Sequence, residues 1–352
     1  MRRKQTIGKN RIGRKNRVSR KLSSRKIVNS SKGNVYWQEK AYAAGRLAAS
    51  GEVSATNDPH KKANECWNRW YHSVNRGPRP YYHAAAAKFL KGYFGETGGG
   101  FGNRVLVPTA RTIAAIVTVM NEKDTVPSVL EQLHRLPLHE MIFVINGSTD
   151  ESFEIIRNQS SATIVHYHSP LGHDVGRAIG AKLAESDILL FLDGDFPIFA
   201  EHLVPFIEAI EQGMDIALNN ISPYIGPFAK RDDVTTVKEF VNRSLAKPEL
   251  RANSLTAIPH AMTKQAAEQI GYSNLEVPPK AQMIAIGKGL KIGSATSVDV
   301  ISGNRVRLRN RGRNNAVSHL ILGDHLEALN AVLDLGGPRL SFPDRVRRRH
   351  LI

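Results

Sequence analysis

Leu189-Leu190-Phe191-Leu192-Asp193-Gly194-Asp195-Phe196-Pro197 is the stretch on which the fold turns. An apolar run that starts at Ile188 ends in two carboxylates two residues apart. Consecutive large apolar side chains with no polar alternation suit a strand buried on both faces, as in a parallel sheet covered by helices. Ligands of such sheets sit beyond the carboxyl ends of the strands. The period of two can aim Asp193 and Asp195 the same way at that exit. Paired hard oxygen ligands there suit Mg²⁺ or Mn²⁺ bridging to phosphate oxygens, which would neutralise charge on a departing diphosphate. An Asp-Gly turn after a strand is also a common arrangement with no chemistry of its own, so the pair needs context.

The context is an alternation of short apolar runs and amphipathic stretches. Upstream, Ile113–Val119, Met141–Ile145 and Ala162–His166 read as strands, and Val126–Leu136, Glu151–Arg157 and Val175–Ala184 as helices. Downstream, a helix over His202–Gln212 and a strand over Met214–Asn219 continue the pattern. Then comes a less regular region, followed by helices near Thr263–Ile270, Pro279–Lys288 and Val317–Leu335. This alternation predicts an open, mostly parallel α/β sheet with right-handed connections. Residues 34–94 read instead as short helices, dense in aromatics such as Trp37, Trp67, Trp70 and Tyr71, and punctuated by Asn57-Asp58-Pro59 and Gly77-Pro78-Arg79-Pro80. Gly95–Gly102 lacks the Gly-Lys-Ser/Thr ending of a phosphate-binding loop and reads as a linker. The expected organisation is a basic tail over 1–30, a helical accessory segment with linker over 31–103, a catalytic domain over 104–335 and a basic tail over 336–352.

Four loops at successive strand ends carry the polar residues: Met120-Asn121-Glu122, Asn146-Gly147-Ser148-Thr149-Asp150, Gly172-His173-Asp174-Val175-Gly176-Arg177 and Asp193-Gly194-Asp195. In this order and spacing, over about Thr112–Gly293, they resemble family-2-type glycosyltransferases with the GT-A fold, a Rossmann-like nucleotide-diphospho-sugar transferase architecture. The resemblance implies a metal-dependent enzyme that moves one sugar from a nucleotide donor, UDP-linked by preference, to an acceptor, with inversion preferred. It implies that Asn121 and Glu122 contact ribose and base, and that Asn146 stands beside the base. Ile145 occupies a position where many members carry a further acid. It also implies that Arg177 meets phosphate oxygens at a helix start, that Asp193 touches ribose or metal, and that Asp195 holds the metal. Each has a plainer alternative: helix caps for Asn121, Glu122, Ser148 and Asp150, and a surface guanidinium for Arg177.

An inverting transferase needs a general base for the acceptor hydroxyl. The resemblance places that acid downstream of Asp-x-Asp and ahead of a helix, where Glu276 stands in Gly271-Tyr272-Ser273-Asn274-Leu275-Glu276-Val277. Val277 occupies the place of the second acid of the usual pair, and Glu276 could equally be a surface carboxylate. Asp232 and Asp233, expected in a mobile loop, are alternatives. Some retaining GT-A enzymes complete their metal site with a downstream histidine, a role open to His325 or His319; an ordinary buried histidine is the alternative. The Gln-x-x-Arg-Trp motif of processive synthases is absent, which argues against polymerisation across a membrane.

Composition narrows the classes further. The 352 residues include 49 Lys+Arg and 32 Asp+Glu, for a net charge of +17. Twelve of the cations lie in residues 1–26 with no acid among them, so the remaining 326 residues carry only +5. That tail is expected to be solvated, with anionic lipid, nucleic acid or an anionic polymer as candidate partners. Arginines at 305, 307, 309, 311 and 313 alternate strictly, and a last basic run covers 345–349. A single cysteine, Cys66, excludes a disulfide within the chain and a Cys-based zinc finger. No apolar stretch reaches membrane-spanning length and no secretory h-region is visible, so a cytoplasmic protein, peripheral at most, is expected. Two rivals remain open. A nucleotidyltransferase would share the sheet but needs a Gly-rich, basic signature after the first strand, which Met120–Asp124 lacks. An RNA-binding scaffold would interleave aromatics with the basic residues, and 1–26 contain none.

Overall fold

The computed structural model describes residues 33–50, 56–74, 81–95, 100–300 and 316–344. The expectations for the 1–30 tail, the 305–313 arginines and the 345–349 run lie outside the described residues, as does the middle of the Gly-rich linker. The chain divides into two compact units, one drawn from 1–55 and 69–102, the other from 56–68 and 103–352.

In the smaller unit, helices α1 (33–49) and α3 (Tyr82–Phe94) cross at two glycines, with the last residues of α2 (Pro59–Ser73) beside them. A Cβ on Gly45 would lie 2.2 Å from the Phe89 carbonyl oxygen, and one on Gly92 2.2 Å from that of Tyr42. Two backbones so close tolerate no side chain at the crossing. Trp70 stacks edgewise on Trp37 and packs on buried Phe89, and Tyr71 meets Tyr82, which accounts for the aromatic density.

The larger unit is built on a seven-stranded sheet in the order β3-β2-β1-β4-β6-β5-β7. Its elements alternate through β1 (Ile113–Val119), α4 (Val126–His134), β2 (Glu140–Asn146), α5 (Ser152–Gln159), β3 (Thr163–Tyr167), α6 (Val175–Leu183), β4 (Ile188–Asp193) and α7 (Ala200–Glu211). There follow β5 (Ile216–Asn219), α8 (Asp233–Ser244), β6 (His260–Thr263), α9 (Lys264–Ile270), α10 (Pro278–Gly287), β7 (Ile292–Thr296) and α11 (Ala316–Gly336). Only β6 runs antiparallel to its neighbours. The mostly parallel open α/β sheet is therefore as expected. β1 and β4 lie side by side at its centre, and the five residues Ile188–Leu192 are all buried.

Three elements went unread in the sequence. β6 and β7 are four and five residues long, too short to show a period. Nor is 232–233 a loop tip: Asp232 caps α8, its carboxylate accepting the Thr235 N–H at 2.7 Å. That Asn and Thr ladder of polar residues, DVTTVKEFVNRS, hid a helix of twelve residues. The last helix, α11, covers α8 and α10 through Val241, Met283, Ala328 and Val332. No helix among the described residues is long and apolar enough to cross a membrane.

Gly176 and Gly180, one helical turn apart, face the sheet from α6. A Cβ on Gly180 would stand 2.3 Å from Ile116 Cγ2, and one on Gly176 2.8 Å from Thr118 Cγ2. The absent side chains let α6 lie directly on β1, bringing its first turn to the strand exits. Gly180→Ala is expected to destabilise the protein by about 1–3 kcal/mol through overpacking. Ile116→Ala should remove part of that penalty in the double variant, read as non-additive urea unfolding free energies.

Candidate active site

The exits of β1, β2 and β4 form one end of the sheet, and side chains cross-link the loops there. Thr118 pairs in register with Asp193 and donates its hydroxyl to Asp193 Oδ1 at 2.8 Å. The turn after Asp193 is pinned on both sides: Gly194 N–H donates to Thr118 O at 2.8 Å, and Thr125 Oγ1 donates to Gly194 O at 2.6 Å. A Cβ on Gly194 would reach within 2.9 Å of Val119 Cγ2, so the two acids are separated by a residue that must be small. Asp193 and Asp195 both remain half-buried at this exit.

The donor set there consists of two carboxylates in a turn held by its own hydrogen bonds, a set of hard oxygens that fits Mg²⁺ or Mn²⁺. Among the described residues no group of three His, Cys, Asp or Glu side chains could hold a metal, so the structure does not bring His325 to the two aspartates. His325 is instead buried in α11, with Nδ1 2.6 Å from Ile321 O; burial, with Lys238 adding to it, lowers its pKa to about 4. His319 is exposed on the same helix.

The first two loops hold each other. Asn121, with φ of 58°, accepts the Thr149 N–H on Oδ1 at 2.8 Å and gives its own N–H to Ser148 Oγ at 3.0 Å. Asp150 accepts the Lys123 N–H at 3.0 Å and the Ser152 N–H and hydroxyl at 3.1 and 2.5 Å. Burial pushes the Asp150 pKa up, but these hydrogen bonds outweigh it and hold the carboxyl below its ordinary value. Glu122 is buried, its N–H on Ser152 Oγ. Asn146 clasps the third loop, donating to Gly172 O and accepting from Leu171 N–H, both at 2.7 Å. The structure thus brings Asn121, Glu122 and Asn146 to one end of the sheet as the struts of its loops.

Arg177 is buried in the first turn of α6, not displayed on the surface. Its Nη1 donates to Leu255 O at 3.1 Å, and Nη2 lies 3.0 Å from Asp174 Oδ1 and 3.8 Å from Asp193 Oδ1. Asp174 itself sits at φ 61°, a left-handed position that non-glycine residues seldom take. Further out, burial together with Asp174 and Glu327 pushes Asp324 of α11 up to about 6, and burial brings Lys238 of α8 down to about 8.

Glu276 is exposed at the end of a short 3₁₀ turn, Tyr272–Glu276, which packs against α6. Leu275 and Pro278 on either side of it line a small cavity with Arg177, Phe191, Leu255 and His260. Sequence reasoning missed Thr118, Thr125, Asp174 and His260. Only Asp174 lay in a quoted motif; the others become visible when register and loop contacts are known.

Residues 114–269 match the family profile described as Glycosyl transferase family 2. Two curated relatives are each 28% identical: a 4,4'-diaponeurosporenoate glycosyltransferase from Staphylococcus haemolyticus over 123 residues, 33% of either chain, and a glucosyl-3-phosphoglycerate synthase from Mycolicibacterium paratuberculosis over 145 residues, 38% of this chain and 39% of the relative. The chain therefore spans well under half the length of these relatives. Among solved structures, glucosyl-3-phosphoglycerate synthase from Mycobacterium tuberculosis in complex with UDP is 17% identical, with a TM-score of 0.47 over 63% of this chain and 81% of that one. The same enzyme in complex with Mn²⁺, UDP and glucosyl-3-phosphoglycerate gives 15% and 0.44 over 67% and 82%.

Proposed function

We propose that this chain, which over residues 114–269 belongs to glycosyl transferase family 2, transfers a single sugar from a UDP-sugar to an acceptor hydroxyl with inversion, aided by Mn²⁺ or Mg²⁺. The observation that carries the reading is the placement of Asp193 and Asp195 at the exit of a central parallel strand, in a turn braced by Thr118 and Thr125. Asp193 and Asp195 would hold the cation. When bound, it supplies Lewis-acid stabilisation of the diphosphate leaving group.

The chain's own residues do the rest. The loop lattice of Asn121, Ser148, Thr149 and Asp150 fixes the walls against which the nucleoside lies, and Asn146 shapes the loop facing the base. Most of the rate gain on this reading comes from holding donor and acceptor in line. Glu276, exposed beside the segment that packs on α6, would accept the acceptor's proton as its oxygen attacks the anomeric carbon.

The test uses thermal shift across UDP, GDP and TDP with and without Mn²⁺, followed by sugar transfer with a donor that binds. Wild type is expected to be stabilised by UDP in a Mn²⁺-dependent way. Glu276→Gln should keep that stabilisation while transfer falls by about 10²–10⁴-fold. No response to any nucleotide diphosphate overturns the enzymatic reading. A response with unimpaired Glu276→Gln turnover removes Glu276 alone.

A further inference from the structure

The guanidinium of Arg177 is held on three sides but not on the fourth. Nη1 and Nη2 have the partners described above, yet Nε, fully enclosed, has no hydrogen-bond partner among the described residues. Leaving a charged donor unsatisfied in a buried place costs well over 1 kcal/mol, so natural structures seldom do it. Arg177 also lines a cavity of about 10 Å³ with Phe191, Leu255, His260, Leu275 and Pro278. That is close to the least space a single water needs, provided two to four polar partners surround it.

His260 offers the second partner. It lies opposite Phe191 in the antiparallel β4–β6 pairing, and the two rings stack with centroids 4.8 Å apart. Its Nδ1 is 3.3 Å from Ala257 O, so this nitrogen carries the proton and Nε2 keeps its lone pair. Burial and the adjacent Arg177 charge lower its pKa to about 3, so the ring is neutral near pH 7. Leu255 O, already bonded to Nη1, has a second lone pair to offer.

We propose that Arg177 and His260 form a positioning device for Asp193, joined by one water in this cavity that accepts from Arg177 Nε–H and donates to His260 Nε2. The water closes the fourth side of the guanidinium and fixes Nη2 between Asp174 and Asp193. Both Thr118 and Arg177 then address Oδ1 of Asp193, leaving Oδ2 as the oxygen turned over to a cation. Arg177 is thus a positioning residue acting through Asp193. The inference rests on the reading of Asp193 as part of the donor site.

Two measurements test it. Side-chain ¹⁵N NMR of the full chain should show the Arg177 Nε–H protected from solvent exchange, with protection lost in His260→Phe, which keeps the stacking but cannot accept. Mn²⁺ affinity measured with UDP present should fall about tenfold in His260→Phe, the usual size for a group behind a metal ligand, and recover in His260→Gln. Should His260→Phe not fold, Arg177→Lys keeps the charge without the fork and should show the same metal loss. Unchanged exchange protection and unchanged Mn²⁺ affinity overturn the proposal. If wild type binds neither UDP nor Mn²⁺, the donor-site reading fails, and the exchange measurement alone then decides whether the water link exists.

Discussion

Asp195→Asn is expected to lower sugar transfer by about a thousandfold or more, or at least about 4 kcal/mol of transition-state stabilisation. The substitution keeps the size and one oxygen of the side chain but removes its charge. A hard divalent cation bound through one or two carboxylates and substrate phosphates cannot lose half of that charge without weakening greatly. Asp193 cannot compensate, because its Oδ1 is committed to Thr118 and faces the Arg177 guanidinium. Stability should change little, since Asn keeps the size of the side chain and the backbone bonds of Gly194 to Thr118 and Thr125, which pin this turn, remain in place. The checks are turnover across a Mn²⁺ titration and the urea midpoint of both proteins. Partial rescue at high Mn²⁺ with an unshifted midpoint is the expected signature. Wild-type turnover at ordinary Mn²⁺ would remove Asp195 from the metal site. Asp193→Asn should differ from it by also losing stability, because the Thr118 hydroxyl and Arg177 would face a neutral amide.

What was legible in the sequence followed from long apolar runs. Ile113–Val117 and Ile188–Leu192 are uninterrupted because both faces of the central strands are buried, and the ends of these strands fixed the place of the site. Gly176 was visible within a quoted loop, but not the reason it shares with Gly180, which is the approach of α6 to Ile116 and Thr118. Polar residues were harder. Asn121 and Asn146 drew attention as nucleotide contacts, and the structure shows their side chains tying loop to loop, as does that of Asp150, which had read only as a helix cap. One side chain can brace a loop and border a ligand, and spacing does not separate the two. Arg177 was expected at a helix start, where it is, but its burial depends on Leu255 O, 78 residues away, and on β6, whose reversed direction no local pattern discloses. His60 and Asn64 of α2 belong to the larger unit because they grip Val105, Val107 and Thr109, again a contact across some forty residues.

The protein is also expected to lose stability steeply on mild acidification, before its carboxylates other than Asp324 titrate. His60, His260 and His325 are buried, and burial brings their pKa values to about 4, 3 and 4, against an ordinary 6.5. The unfolded chain therefore takes up three protons near pH 6.5 that the folded chain refuses until near pH 4. Folded values below unfolded ones mean stability that is complete above pH 6.5 and lost as pH falls. Asp324 acts in the opposite sense, because its carboxyl, pushed up to about 6, is protonated when folded while an unfolded one is not. It cancels about one of the three. From these four groups a net two protons correspond to about 3 kcal/mol per pH unit between pH 6 and 4, a slope that exhausts an ordinary folding free energy within a few units. His134 and His139, whose pKa values burial also lowers, act in the same direction. The low-lying carboxylates Asp150, Asp187 and Glu239 add to the loss only at still lower pH. Urea unfolding at pH 7, 6 and 5 measures the slope, and His60→Gln, which can still donate to Val105 O, should reduce it by one proton. A stability that stays flat from pH 7 to pH 5 would show that these imidazoles reach water in the folded protein and that the buried placement of His260 behind Arg177 is wrong.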